Sequence, residues 1–85
     1  MTFNYRTTAA RAKAALREAF PDSVIETEKG WAGRVHAKIV SPKFNGKTEK
    51  TKQDMVWDVL KDKLDPADLA GISLVIAYSM DELPG

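Results

Sequence analysis

The chain has no cysteine, and that one absence removes several chemistries together. Without a thiol there is no disulfide, no CxxC redox pair, no zinc knuckle and no cysteine nucleophile. At 85 residues the protein therefore has to fold on a single small core without a covalent or metal staple. Histidine is nearly absent too. His36 stands alone, and one imidazole with no thiol beside it does not close a transition-metal site. There is no glycine-rich phosphate loop. Neither a Ser/His/Asp set nor a paired-carboxylate spacing stands out, and His36 has no orienting acid next to it in sequence. These gaps argue against an enzyme. The longest apolar run, near Leu74 to Tyr78, is far too short to cross a bilayer. The N-terminus lacks the continuous apolar segment of a signal peptide. A cytoplasmic protein fits this pattern.

What remains is an ordinary globular composition, 44% hydrophobic and 29% charged, with no internal repeat and no linker. The net charge of +1 conceals an asymmetry. Between Lys29 and Lys52 lie seven cations and one acid, Glu49, whereas from Gln53 onward seven acids face Lys61 and Lys63. Such a division points to one side that meets an anionic partner, or to a solvated surface with its signs unevenly spread.

The pattern of apolar residues gives the element order. Residues 1–6 read as a flexible leader, and residues 7–85 as one domain. Thr7 or Thr8 is placed to cap a first helix, whose stripe is Ala9, Ala12, Leu16, Ala19 and Phe20 and which Pro21 ends. Val24 to Thr27 reads as a strand. Lys29 to Gly33, with two glycines, reads as a hairpin loop in which Trp31 folds back on the sheet or anchors a contact. In the next strand Val35, Ala37 and Ile39 share the buried face, while Arg34, His36, Lys38 and Val40 share the other. Phe44-Asn45-Gly46 forms a turn, with Phe44 as an apolar plug. Thr48 caps a second helix running to about Leu64, buried through Val56, Val59, Leu60 and Leu64, with Trp57 at its margin. Asp65-Pro66 opens a brief helical turn stopped by Gly71. Ile72 to Tyr78 is the strongest strand, with Ile72, Leu74, Ile76 and Tyr78 expected towards the helices. Ser79 to Leu83 begins a last helical turn. The fold class is α+β: helix, strand, strand, helix, turn, strand, a three-stranded sheet with helices on one face and the other face open.

The centre of the chain resembles the BolA-like family. Ile39-Val40-Ser41 matches the family's strand ending, Phe44-Asn45-Gly46 its Phe-x-Gly loop, and Met55-Val56-Trp57 the apolar run that follows its Arg-His-Arg helix start. The resemblance covers roughly residues 9–83. It implies a fold similar to the type II KH domain, although no GxxG clamp for nucleic acid is present. It also implies a regulator or adaptor, a stress-induced morphogen type of protein, that partners a monothiol glutaredoxin in iron-sulfur or iron homeostasis. Where the family has Arg-His-Arg, this chain has Lys52-Gln53-Asp54, so Gln53 replaces the histidine that ligates a shared iron-sulfur cluster. The family's other ligand aligns near Arg34, and His36, two residues on along the same strand face, is the candidate displaced metal ligand.

Two functional readings follow. The first is a non-enzymatic adaptor with no intrinsic cofactor, which docks through Arg34, His36, Lys38, Lys43, Phe44, Gly46, Lys47, Lys50, Lys52 and Gln53. The alternative is a nucleic-acid-binding transcriptional regulator that presents Lys38, Lys43, Lys47, Lys50 and Lys52 as a phosphate-facing strip. No membrane partner is expected.

Overall fold

The computed structural model describes residues 4–82. Helix α1 spans Tyr5–Ala19, and its cap is Asn4, whose side chain accepts from the Thr7 amide at 3.1 Å. The helix thus begins two residues before Thr7, which corrects the leader: Tyr5 and Arg6 belong to α1, and residues 1–3 lie outside the described residues. Thr8 is not a cap; it is buried inside the first turns. Ala9, Ala12 and Ala15 put almost no bulk between this helix and the sheet, so the backbone packs close and Leu16 is fully buried. The chain leaves the helix at Phe20, whose amide still bonds Leu16 carbonyl, just before Pro21 prevents another turn.

Strands β1 (Val24–Lys29), β2 (Val35–Val40) and β3 (Ile72–Tyr78) form one sheet in the order β1-β2-β3. β1 and β2 are an antiparallel hairpin, and β3 runs parallel to β2. A parallel neighbour requires a crossover, which α2 (Glu49–Lys63) and the short α3 (Pro66–Ala70) provide. The caps expected from sequence are present: Thr48 accepts from the Thr51 amide and Asp65 from the Asp68 amide. The last turn, Met80–Glu82, follows Ser79, which hydrogen-bonds Asp81; Leu83 lies outside the described residues.

β3 departs from strict alternation. Val35 pairs with Ile72 but His36 pairs with Leu74, so Ser73 is an extra residue in the strand. The bulge leaves Ser73 and Leu74 on the same exposed face, so alternation counted along the sequence from Ile72 is out of step by one beyond it. Ile72, Val75 and Ala77 are consequently buried beneath the helices, whereas Leu74 and Ile76 are exposed on the opposite face. The expected burial of Leu74, Ile76 and Tyr78 on the helix side is corrected by this bulge.

The core lies between the sheet and the helical layer, where Leu16, Val35, Ile39, Phe44, Val56 and Leu60 are fully buried. Phe44 fills the end of this layer, its ring 5.2 Å from that of Phe20 in a tilted arrangement. A polar clasp closes the other end. The Asp68 carboxylate accepts from Thr8 Oγ1 at 2.9 Å and from Arg11 at 3.0 Å, which joins α3 to α1 across some 60 residues of chain. Burial pushes the Asp68 carboxyl up, but the bonds from Arg11 and Thr8 outweigh that and hold it below its ordinary range.

Candidate functional site

The hairpin tip is the most sharply shaped part of the surface. Gly30 amide donates to Arg34 carbonyl at 2.7 Å, closing a loop over Trp31-Ala32-Gly33. Ala32 and Gly33 both have positive φ, 57° and 74°. Two successive left-handed residues reverse the chain tightly, and a β-carbon at Ala32 makes that conformation costly. The reversal turns Trp31 outward, 76% exposed, so the indole does not fold back on the sheet.

His36 projects from the open face of the sheet, beside Glu26, Lys38, Leu74 and Ile76. Its ring lies over Gly30, where an added β-carbon would stand 2.1 Å from Nε2. Gly30 is therefore the seat of the imidazole. Directly opposite His36 in the hairpin register is Glu28. Sequence reasoning missed this carboxylate, because eight residues separate the two. Counting outward from the glycine-framed loop would have found it, since Gly30 and Arg34 close the turn and each step back pairs the next two residues.

The ten residues assigned to a partner surface do not gather in one place. Arg34 and Lys38 are exposed on β2 beside half-buried His36. Lys43, Gly46 and Lys47 are exposed on the loop leading to α2, where Lys43 Nζ donates to Ala19 carbonyl at 3.1 Å. Lys50 is exposed at the start of α2 and pairs with Asp54, a hydrogen bond that raises its pKa. Two of the ten are corrected. Phe44 is a core residue with no exposed surface. Lys52 is buried at the start of α2, its ammonium 2.6 Å from Glu49. With Lys52 inside and Lys38 on the opposite side of the sheet from α2, the five lysines do not form one phosphate-facing strip.

Gln53 has a different occupation from that of a ligand. Its amide nitrogen donates to Val75 carbonyl at 2.9 Å, and its oxygen accepts from the Trp57 indole at 3.1 Å. The side chain thus ties α2 to the edge strand of the sheet. A side chain held by two bonds inside its own chain does not fit the ligand role that the resemblance would give this position, and an amide has little affinity for iron. Among the described residues no three His, Asp or Glu side chains converge on a possible metal position. Among the described residues there is thus no side-chain set that could hold a metal ion, and His36 is the one imidazole in the sequence. No described helix is long and apolar enough to cross a membrane.

No family model matches the sequence, and no curated protein does. Solved structures do match. The chain is similar to BolA1 from Arabidopsis thaliana with a TM-score of 0.69 at 20% identity, over 98% of this chain and 100% of that one. It is similar to the BolA domain of SufE1 from Arabidopsis thaliana with a TM-score of 0.68 at 23% identity, over 96% of this chain and 100% of that domain. Near-complete coverage on both sides establishes that the chain has the BolA fold.

Proposed function

We propose that this protein is a BolA-like adaptor, not an enzyme, and that it acts by docking on a partner protein, a monothiol glutaredoxin in iron-sulfur or iron homeostasis. The observation that carries the reading is the coincidence of two likenesses. The chain takes the BolA fold over 96–98% of its length, and the Ile-Val-Ser and Phe-x-Gly motifs fall at the end of β2 and in the loop that follows it. The contact region in this reading is the hairpin tip, where Trp31 stands in solvent and His36 is seated on Gly30. An exposed indole supplies a large apolar area with few rotors to freeze, which suits an interface anchor. With Gln53 engaged at the sheet edge, this chain contributes His36 at most to any cluster the partner carries, and docking does not depend on ligation.

The test is to mix the purified protein with a monothiol glutaredoxin under anaerobic cluster-reconstitution conditions, with visible absorption and size exclusion recorded together. A heterodimer is expected. If His36 is a ligand, the heterodimer's absorption differs from that of the glutaredoxin homodimer, and His36→Ala abolishes the difference. Absence of a complex, with and without cluster, overturns the adaptor reading for this partner.

A further inference from the structure

Five large hydrophobic residues are substantially exposed among the described residues, and four of them share one surface. Val24 (60%), Leu74 (41%), Ile76 (39%) and Met80 (49%) all lie on the sheet face away from the helices. They line two adjoining clefts. One, of about 280 Å³, runs between Glu26, Glu28, His36, Leu74 and Ile76. The other, of about 240 Å³, lies between Val24, Val40 and Met80. Glu26 and Lys38 border both, so the clefts form one groove across the sheet.

The charges along this groove are not balanced from within. Glu26 and Glu28 follow one another on the open face of β1. The residue directly across from Glu26 is Lys38, yet its ammonium lies over the Tyr78 ring, 5.6 Å from the centroid, on the β3 side. Among the described residues neither glutamate makes an ion pair. Beyond Val24 the face therefore carries an acidic pair on β1, Glu26 and Glu28, and an apolar column on β3, with Lys38 turned to the apolar side.

We infer that this face docks an amphipathic helix of a protein partner, with its apolar stripe on Leu74, Ile76 and Met80 and lysines or arginines along the flank that meets Glu26 and Glu28. The dimensions agree. β1 and β3 stand on either side of β2, so their columns are about 10 Å apart, close to the width of one helix. A strand of this length spans about 20 Å, which roughly fourteen helical residues cover. A helix laid along β2 reaches both columns and adds a second helical layer to a sheet that has only one. The acidic pair excludes an anionic occupant such as nucleic acid from the same groove. The inference deepens the adaptor reading by assigning partner chemistry to one face, and it rests on that reading only for the purpose of the contact.

The test uses the full 85-residue chain, ¹⁵N-labelled, titrated with a synthetic fourteen-residue leucine/lysine amphipathic helix and with its leucine/glutamate counterpart. The lysine peptide is expected to shift the amides of residues 24–28, 36–40 and 74–78 and leave those of α1 and α2 unmoved. The glutamate peptide is expected to bind at least about threefold more weakly. E26Q/E28Q, two exposed changes that leave the core intact, should weaken the lysine peptide by about threefold to tenfold, and added salt should do likewise. Ile76→Ser should weaken both peptides. Equal binding of the two peptides, shifts confined to the helical layer, or no shifts at all overturns the inference. A concentration-dependent dimer abolished by Ile76→Ser also overturns it, because a second copy would then be the occupant. Glutaredoxin binding is scored separately, so the groove and the adaptor reading fail or survive independently.

Discussion

Asp68→Ala is a stringent test of how the helical layer is held together. Removing the carboxylate deletes the bond from Arg11, whose side chain is largely in water; such exposed pairs contribute only about 0.2–1 kcal/mol. The larger loss is at Thr8. Its hydroxyl is buried and donates to Asp68 at 2.9 Å, and a buried donor left without its acceptor costs about 1–3 kcal/mol. Together these give roughly 1–4 kcal/mol, against a total stability of roughly 4–13 kcal/mol for a domain of this size. At about 4–8 °C per kcal/mol, a loss near 2 kcal/mol lowers Tm by about 8–16 °C. Thermal melts of Asp68→Ala, Thr8→Val and the double variant check the reasoning. The two changes should be strongly non-additive, because each removes the same bond. Additive effects, or a loss under about 0.5 kcal/mol for Asp68→Ala, would show that the clasp does not bind α1 to α3.

The same clasp sets a pH dependence. Because the folded Asp68 carboxyl lies below its unfolded value of about 4, its contribution is complete above that value and is lost as pH falls through the lower folded one. Melts of wild type and Asp68→Asn should therefore converge in acid, and an unchanged gap between them at low pH counts against the assignment. Leu60→Ala, at a fully buried position under the sheet, should cost about 2–5 kcal/mol in chemical denaturation. Phe44→Ala should cost about 3–5 kcal/mol, and a value typical of a surface site would return Phe44 to the partner surface. Gly30→Ala should leave stability within about 1 kcal/mol, since the imidazole can swing aside, but should move the His36 ring resonances in NMR. Unmoved ring signals would mean that Gly30 does not seat the histidine.

The sheet and both long helices are legible in the sequence because their apolar residues repeat at the period of the element they form. Thr48, Asp65-Pro66 and Gly71 mark boundaries by local chemistry, and local chemistry is what a sequence displays. Three features are not legible, each for a physical reason. The first turn of α1 is misread because Asn4 competes with Thr7 and Thr8, two nearby hydroxyls of similar capping ability. The burial of Lys52 depends on tertiary packing around a long aliphatic stem, which periodicity treats as a charge. The inversion of β3 depends on one unpaired residue that leaves no mark in an otherwise uniform apolar run. On the surface, His36 and Lys38 are legible from alternation, but Glu28 becomes their neighbour only through hairpin pairing.

Ser73 gives the sheet two faces that do not carry the same information. Were Ser73 held in regular alternation instead of bulged, Leu74 and Ile76 would turn inward, Val75 and Ala77 outward, and the core would have to accept larger side chains in a space fitted to smaller ones. The bulge at Ser73, rather than the identity of the residues beyond it, thus decides which of them are available to another molecule. The same strand paired with and without the bulge would present different surfaces to the same partner. Recognition by this protein is in that sense encoded partly in how one strand is paired with its neighbour.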